Sequence, residues 1–390
     1  MRTSASTAAS STDRAPGATR PAVAPAPEFR MPAEWDRHQA TWLGWPHKLS
    51  DWPGRFAPIP WVYGEIVRRI APGETVRILV DSAAHEKGAR KVLDKVGAPL
   101  RQVEFLRWPT DRGWTRDMGP IFVRRTTGRR EVGIAGFRFN AWAKYPDHRM
   151  DARIAARAAR HFGLGVRPAS RDGRDVVLEG GSIDVNGGGT LVTTEECLLD
   201  PERQVRNPGF GRREYEDVFR DVLGATNVIW LGRGVAGDDT HGHVDDLCRF
   251  VGPRTVVACR ETDPKDANHR PLEENWERLQ SARLEDGTRP EVVALPMPAP
   301  LVFAGQRLPA SYANFYMTNA ATIVPTFNDP ADRTALGVLA ELIRDRPVVG
   351  IHAVDLVWGL GTLHCLTQQQ PVSSGATTVE GRGASAPGKT

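Results

Sequence analysis

Residues 75–108 read TVRILVDSAAHEKGARKVLDKVGAPLRQVEFLRW, and this stretch decides the fold class. Thr75–Asp81 is rich in β-branched and aliphatic residues, which predicts a buried strand. The segment that follows, up to Val96, has the pattern of a helix, and Arg101–Trp108 predicts a second strand. Alternation of strands and helices is typical of a mixed α/β protein.

The same alternation continues towards the C-terminus. Gly187, Gly188 and Gly189 stand between two strand-like runs, and glycine readily adopts the positive φ of a tight turn. Because Thr-rich, strand-like residues follow them, they predict a hairpin turn and not a phosphate-binding loop. The further predicted strands are 176–179, 181–185, 190–194, 227–231, 255–259, 321–325 and 348–351, and the predicted helices are 265–284 and 330–345. The fold class is therefore α/β, with the topology left open.

The composition is that of a folded globular protein. The chain has 390 residues, of which 40% are hydrophobic and 25% charged, so wholesale disorder is excluded. The formal net charge is +4, and part of this excess lies in the first 27 residues, which hold three arginines and one acid. The remainder is nearly neutral and has no long basic run, which argues against a nucleic-acid partner. No stretch of about 18 or more apolar residues indicates a membrane-spanning helix.

Cysteine usage and the N-terminus indicate a reducing cytoplasm. The sequence contains four cysteines: Cys197, Cys248, Cys259 and Cys365. They are too few for a disulfide framework, and none has the Cys-x-x-Cys spacing of a zinc site. The N-terminus lacks the apolar core of a secretory signal. Residues 1–27 and 373–390 predict disordered tails, and no linker divides residues 28–372, which predicts a single domain.

Four segments carry residue types that do chemistry. They are Trp114–Pro120 (WTRDMGP), Glu179–Gly181 (EGG), Gly237–Asp246 (GDDTHGHVDD) and Leu363–Gln368 (LHCLTQ). Taken alone, Asp117 could cap a turn and Glu179 could be a solvated loop charge. Cys365 could be a small buried apolar residue. The third segment is harder to explain in this way, because two histidines and four aspartates are costly to bury.

The histidines of the third segment admit two interpretations. In the first, His241, His243 and Asp245 are the ligands of a metal-dependent amidohydrolase. The other histidines form no second metal-spaced pair, which makes this the more remote alternative. In the second, His243 and Asp245 lie on one strand, where residues i and i+2 share a face, and both line one pocket.

A histidine and carboxylates that face a cysteine are the ingredients of covalent thiol catalysis. A cysteine protease needs one orienting residue, whereas the three acids Asp117, Glu179 and Asp245 suit a cationic substrate. A planar guanidinium is the cation whose donors engage two carboxylates in fork geometry. The residues therefore favour chemistry on a guanidine.

Together with several further segments, these four segments resemble the sequences of the agmatine deiminases and bacterial peptidylarginine deiminases of the guanidine-modifying pentein superfamily. Besides the four segments above, the resemblance is carried by Met31–Trp35 (MPAEW), Thr41–His47 (TWLGWPH), Thr193–Leu199 (TTEECLL) and Ser311–Phe315 (SYANF). It implies a five-bladed α/β propeller of ββαβ modules around a central substrate funnel, without metal or cofactor. Residues 28–372 would be a single pentein catalytic domain. The separations of Asp117, Glu179 and His243, about 60 residues each, fit one catalytic group per module.

The resemblance also implies how the residues divide the work of deimination, the hydrolysis of a guanidine to a ureido group and ammonia. Cys365 would be the nucleophile, and His243 would transfer protons. Asp117 and Asp245 would hold the guanidinium. Glu179 would orient His243 or bind the substrate. The expected substrate is agmatine, and the product N-carbamoylputrescine belongs to polyamine biosynthesis.

The resemblance leaves the exact guanidine open. Trp114 would contribute to substrate binding, and the loop before Cys365 would shape the substrate's far end. This loop, 358–363, departs from the glycine run and asparagine typical of agmatine deiminases. A deiminase of peptidylarginine or of another guanidine is therefore the alternative. A protein that only binds arginine-like ligands is disfavoured, because the catalytic set is intact. The oligomeric state stays open, a homo-oligomer included.

Overall fold

The computed structural model describes residues 27–129 and 131–373. The two tails predicted to be disordered thus fall almost entirely outside the described residues. In chain order the strands are β1 (Phe29–Arg30), β2 (His38–Gly44), β3 (Thr75–Leu79), β4 (Val103–Leu106), β5 (Ile121–Arg125), β6 (Val132–Gly136), β7 (Gly165–Pro168), β8 (Ser170–Arg171), β9 (Arg174–Asp175), β10 (Asp184–Val185), β11 (Thr190–Thr194), β12 (Asn227–Leu231), β13 (Cys248–Phe250), β14 (Thr255–Arg260), β15 (Glu291–Pro296), β16 (Val302–Phe303), β17 (Gln306–Arg307), β18 (Tyr316–Met317), β19 (Thr322–Thr326), β20 (Val348–His352) and β21 (Thr367–Pro371).

The α-helices are α1 (Ile59–Ile70), α2 (Ala83–Lys95), α3 (Thr115–Met118), α4 (Ile154–Phe162), α5 (Glu195–Leu199), α6 (Arg212–Val218), α7 (His269–Ser281), α8 (Ala331–Leu342) and α9 (Leu363–Leu366). Short 3-10 segments lie at Leu49–Asp51, Leu100–Gln102, Asp151–Arg153, Gly180–Ser182, Val244–Asp246 and Leu356–Gly359, and Phe219–Leu223 is a π-helical turn. Within the described residues, no helix is both long and apolar enough to cross a membrane.

Five sheets repeat one arrangement, in which a first strand pairs antiparallel with a second, and a third strand pairs parallel with the second after a helical connection. These modules are I (β21, β2, β3), II (β5, β6, β7), III (β10, β11, β12), IV (β13, β14, β15) and V (β18, β19, β20). β4 extends module I, and β1 extends module II. The predicted α/β class is confirmed, and each module has the ββαβ order.

Module I joins the two ends of the described chain. β21 runs antiparallel to β2, with Thr41 opposite Gln369, so its first strand comes from the C-terminal end and its second from the N-terminal end. Residues 75–108 supply β3, α2 and β4. Ser82 caps α2 by accepting the N–H of His85 at 3.2 Å, and α2 buries Ala89 and Leu93 and packs against α1.

The predicted glycine hairpin is confirmed between β10 and β11. Gly187 has φ +69° and Gly189 φ +136°, values that disfavour residues with a side chain. Oδ1 of Asn186 accepts the backbone N–H groups of Gly188, Gly189 and Thr190. The turn therefore fixes the antiparallel register of the two strands.

Two predicted strands near the chemical segments were wrong. Residues 176–179 form only a single bridge, Arg138 to Val177, and of 181–185 only the last two residues are strand. The reason is close packing: a Cβ on Gly180 would lie 2.3 Å from the carbonyl oxygen of Arg116, so the chain turns here. His243 and Asp245 are likewise not on a strand, because Val244–Asp246 is a 3-10 segment.

Candidate active site

The five predicted catalytic residues each lie shortly before the first strand of a module. Asp117 is in α3, which precedes β5, and Glu179 precedes the 3-10 segment that leads into β10. His243 and Asp245 lie at the 3-10 segment before β13, and Cys365 is in α9, which precedes β21. Four of the five modules thus present these side chains from the same topological position.

The structure brings all five side chains together. Sγ of Cys365 lies 3.8 Å from Oδ2 of Asp245. Nδ1 of His243 lies 3.8 Å from Oδ1 of Asp117, and Nε2 of His243 lies 3.7 Å from Oε2 of Glu179. All five residues are buried. Although the strand predicted for His243 and Asp245 is absent, the 3-10 turn places both side chains in one cluster.

Asp117 is held by two donors. The indole Nε1 of Trp142 donates to Oδ2 at 2.9 Å, and the backbone N–H of Gly181 donates to Oδ1 at 3.0 Å. Burial raises the pKa of Asp117 to about 6; the charge of His243 opposes this rise, and nearby carboxylates add to it. The carboxylate is thus oriented, while the surrounding residues only partly compensate its charged form.

Asp245 is held by a histidine that sequence reasoning did not single out. Nδ1 of His364 lies 2.6 Å from Oδ2 of Asp245, and Nε2 of His364 lies 2.8 Å from Oε2 of Glu34. Burial opposes ionisation of Asp245, but the hydrogen bond and charge of His364 outweigh it and lower the pKa of Asp245. Oδ1 of Asp245 is buried without a hydrogen-bond partner among the described residues, so it is available to a ligand.

His243 is surrounded by acidic groups, yet neither ring nitrogen has a hydrogen-bond partner within the described part of the chain. Burial disfavours the imidazolium, but the charge of Asp117 and the contacts with Cys197 and Glu179 outweigh burial and raise the pKa of His243 well above its usual value. The ligand atoms of Glu179, Cys197 and His243 lie within 4.8 Å of one another. Cys197, interpreted from sequence as a buried apolar residue, therefore also contacts the central histidine.

Glu179 has a cationic partner that its motif did not indicate. Nε of Arg206 lies 3.2 and 3.3 Å from the two carboxylate oxygens of Glu179, and both side chains are fully buried. Burial opposes the charge of Glu179, but Arg206 and His243 outweigh it and lower the pKa of Glu179. The carboxylate is therefore fixed between a permanent cation and the histidine.

Cys365 opens into a cavity of about 200 Å³. The cavity is lined by Ser50, Asp51, Arg112, Trp114, Asp117, Trp142, Tyr145, Asp239, Thr240, Gly359, Leu360 and Cys365. Trp114 and Asp117 are in this wall, as expected for residues that contact substrate. His243 and Asp245, predicted to line one pocket, are not in it, and neither is Glu179; these three lie behind the wall in the buried cluster. Burial, together with the charges of Asp245, Asp246 and Asp117, raises the pKa of the Cys365 thiol well above its usual value.

The ligand set of the metal alternative does not converge. His241 has φ +66°, and its Nε2 lies 2.8 Å from Oδ2 of Asp200. Other groups could hold an ion: Glu179, Cys197 and His243 form one triplet, and Asp245, Asp246 and Cys365 form another. In the first triplet Glu179 already has Arg206 as a partner.

The family model that matches this sequence is that of the Porphyromonas-type peptidyl-arginine deiminases, and it covers residues 30–371. The chain belongs to this family. It is therefore a hydrolase that deiminates a guanidine, which is the activity that the residues favoured.

Individual members of the deiminase family are similar to this chain over nearly their whole length. An agmatine deiminase of Ectopseudomonas mendocina is 36% identical over 89% of this chain and 97% of its own, and one of Medicago truncatula is 36% identical over 88% and 96%. Among solved structures, the agmatine deiminase of Enterococcus faecalis has a TM-score of 0.80 at 29% identity, covering 88% of this chain and 96% of its own. The pentein fold expected for a deiminase of this family is thus supported by structure as well as by sequence.

Proposed function

We propose that the protein hydrolyses the guanidinium group of agmatine to N-carbamoylputrescine and ammonia, with Cys365 as the nucleophile. The observation that carries this proposal is the convergence of Asp117, His243, Asp245 and Cys365 in one buried cluster. The curated relatives from Ectopseudomonas mendocina and Medicago truncatula are agmatine deiminases, which supports agmatine as the substrate. The product places the reaction in polyamine biosynthesis.

Asp117 and Asp245 hold the guanidinium. Asp245 offers the unpartnered oxygen Oδ1, and Asp117 offers a carboxylate aligned by Trp142 and Gly181. Two carboxylates on one planar cation fix its central carbon near the sulfur, which replaces a bimolecular encounter by an oriented one. Trp114 contacts the substrate from the cavity wall.

Binding of the guanidinium substrate favours the thiolate form of Cys365, which is the nucleophile. The charges around Cys365 favour the thiol. The positive guanidinium offsets them when it binds, and the thiol proton then leaves to bulk water. The thiolate electron pair then forms a bond to the guanidinium carbon. His243 gives its proton to one nitrogen, the C–N bond breaks, and ammonia leaves a thiouronium on Cys365.

In the second half of the reaction His243, which acted as an acid in the first half, acts as a base. Neutral His243 takes one proton from water, and the hydroxide adds to the thiouronium carbon. The C–S bond then breaks and the hydroxyl proton leaves to bulk water, which returns the thiolate and the neutral ureido product. Glu179, fixed by Arg206 at 3.2 Å, orients His243 and stabilises its charged form. No step in this sequence needs a metal or a cofactor.

We also infer that modules I to V stand around one axis as a five-bladed propeller, and that residues 28–372 form one catalytic domain with the cavity as its funnel. The common position of the catalytic residues, before the first strand of each contributing module, supports this arrangement. We place the protein in the cytoplasm, where a catalytic thiol stays reduced.

The charged residues of the cavity wall favour a second candidate substrate. Asp51 pairs with Arg112 and accepts the indole N–H of Trp114 at 3.1 Å, and Asp239 pairs with Lys144. Both acids thus have cationic partners, whereas Nε of Arg112 is buried in this wall without a hydrogen-bond partner among the described residues and can donate to an anion. Free arginine, a guanidine with a carboxylate at its far end, is therefore the second candidate.

Ammonia release from agmatine, free arginine and an arginine peptide, measured on chelator-treated protein, tests the proposal. We expect release from agmatine, and release from free arginine alone would select the second candidate instead. Cys365→Ala should lower kcat by at least about 1,000-fold, whereas Cys248→Ala, at another buried cysteine, should retain most of it. Turnover that survives Cys365→Ala would overturn the covalent route.

A further inference from the structure

A groove of about 450 Å³ lies between α4 and the strands β6 and β7 of module II. The residues that line it differ from those that line the catalytic cavity. Its apolar side chains include Ile134, Phe137, Phe139 and Val166, and Val166 is 48% exposed. The volume is within the range of small-molecule sites. The groove can therefore take an apolar group of a ligand out of water.

Four arginines on one side of α4 line this groove and the next one. Their positions in the chain are three or four apart, a spacing that places side chains on one helical face; they are Arg149, Arg153, Arg157 and Arg160. Arg149 and Arg153 line the first groove, while Arg153, Arg157 and Arg160 line a second groove of about 390 Å³. Arg153 is thus common to both grooves, and we call the four residues the arginine stripe.

The arginine stripe has no acidic partner within the described part of the chain, since none of its members forms a salt bridge there. Neighbouring arginines are paired: Arg138 with Asp175 at 3.3 Å, and Arg112 with Asp147 at 3.2 Å. Like charges three or four positions apart on a helix destabilise it, so the stripe does not serve the stability of α4. Its charges are instead available to an anion.

The backbone that leads into the stripe is fixed by two carboxylates. Oδ2 of Asp111 accepts the backbone N–H groups of Met150 at 2.7 Å and Asp151 at 3.2 Å. In return, Oδ1 of Asp151 accepts the backbone N–H of Asp111 at 2.7 Å. Arg157 is positioned separately, because its guanidinium carbon lies 4.9 Å from the ring centroid of Trp108. The stripe is therefore partly preorganised, which lowers the entropic cost of binding a ligand.

The stripe and the grooves together define the chemistry of the ligand. Guanidinium groups bind phosphate oxygens in fork geometry, and four unpaired charges match an anion that carries several charges. The first groove adds the aromatic rings of Phe137 and Phe139, which suit a flat apolar group. A monocarboxylate lacks the charge, and an inorganic polyphosphate lacks the apolar part. A nucleoside di- or triphosphate has both.

We propose that the two grooves and the arginine stripe bind a nucleoside di- or triphosphate, with the base in the first groove and the phosphates along Arg153, Arg157 and Arg160 in the second. This site is separate from the catalytic cavity, and its existence does not depend on the proposed function. No covalent bond is made or broken there. The ligand is held by charge and by burial of its base.

Binding of ATP that carries an N-methylanthraniloyl group on its ribose, measured by fluorescence anisotropy, tests the proposal without guanidine turnover. The test variant is Arg153→Gln/Arg160→Gln. Its matched control is Arg101→Gln/Arg270→Gln, which also removes two charges from exposed arginines but lies outside both grooves. We expect saturable binding by the wild type and by the control, and a Kd at least about tenfold higher in the test variant.

Ala156→Leu separates the contribution of the base from that of the phosphates. Ala156 is an exposed residue that lines the first groove, so a larger side chain narrows the groove without changing any charge. We expect it to weaken binding of the nucleotide probe about tenfold and to leave binding of inorganic triphosphate, measured by calorimetry, unchanged. All substituted residues are exposed, so the variants should fold, and thermal melting checks this.

Equal Kd values in the test variant and its control, or no saturable binding by the wild type, would overturn the proposal. An Ala156→Leu protein that binds the nucleotide as tightly as the wild type would refute the position of the base. Because the probe is read without guanidine turnover, a protein that binds it but deiminates no guanidine would count only against the proposed function.

Discussion

Asp117 and His243 lie 3.8 Å apart, and their environment moves both pKa values upward. Burial leaves Asp117 only partly compensated, so its pKa rises to about 6. Its carboxylate is one of the charges that keep His243 protonated. In the proposed mechanism, substrate binding needs the carboxylate of Asp117 and ammonia departure needs the imidazolium of His243. The site is therefore competent above the pKa of the acid and below that of the histidine.

The raised pKa of Asp117 predicts the acidic limb of the pH–rate profile. Below pH about 6, Asp117 takes up a proton and loses the charge that attracts the guanidinium, so kcat/KM should fall about tenfold for each further pH unit. A profile of kcat/KM from pH 4.5 to 9 measures this limb. Asp94→Asn, at an exposed helical position, should leave the profile unchanged. Activity that stays constant down to pH 5 would contradict the assignment.

The motifs predicted the residues that the structure brings together in the candidate site better than the residues that hold them there. Asp117, His243 and Cys365 carry their reactivity in their own side chains, so the type and setting of each residue pointed to its use. His364 and Arg206 act only through a partner far away in the chain, since His364 contacts Asp245 from 119 positions away. A local sequence pattern contains no information on contacts between residues so far apart in the chain.

Short helical turns, and not strands, present the catalytic groups. Four such turns, α3, Gly180–Ser182, Val244–Asp246 and α9, each end just before a strand begins. Alternation at i and i+2 suggested a strand for His243 and Asp245, but a turn can also bring two such residues to one cluster. Over β3, α2 and β4 the expectation held, because ordinary apolar periodicity controls those elements.

The turn at Gly180–Ser182 has no room for a larger residue. A Cβ on Gly181 would lie 2.5 Å from Nδ1 of His243 and 2.9 Å from Oδ1 of Asp117. Gly181→Ala should therefore displace both side chains and lower kcat/KM by about 100-fold or more. Steady-state kinetics measures this loss. Gly88→Ala is the control, because nothing lies within 4 Å of its Cβ; it should preserve activity and stabilise α2 by up to about 1 kcal/mol.

Glu34 connects four modules through one buried carboxylate. It lies before β2 of module I and pairs with Arg116, before module II, at 3.4 Å and with Arg249 of module IV at 2.8 Å. It also accepts the backbone N–H of Met317 in module V at 2.9 Å. Burial opposes its charge, but Arg249 and His364 outweigh burial and lower the pKa of Glu34 far below its usual value. The carboxylate thus holds the modules together beneath the site.

Glu34→Ala should lower the free energy of unfolding by about 3–5 kcal/mol, because it leaves two buried arginines without their common partner. Urea denaturation followed by circular dichroism measures the change. Glu28→Ala removes a half-exposed acid that pairs with Arg125 and should cost no more than about 1 kcal/mol. Equal losses in the two variants would show that the Glu34 contacts do not stabilise the fold.

The architecture could be predicted in class but not in detail. Strand and helix alternation gave α/β, and the regular spacing of Asp117, Glu179 and His243 indicated modules. The pairing of Glu34 with Arg116 and Arg249 escaped, because these partners are far apart in the chain. The pairing of β21 with β2 escaped as well, because strands at opposite ends of a chain share no local pattern.

The β2–β21 pair also determines when a newly made chain can become active. Synthesis proceeds from the N-terminus, and early modules can fold while later ones are still being made. Module I stays incomplete until Thr367–Pro371 has left the ribosome, and the nucleophile Cys365 is placed by the turn directly before that strand. A nascent chain therefore carries most of its acids and His243 but no positioned thiol. Catalysis begins only when translation has delivered nearly the whole molecule.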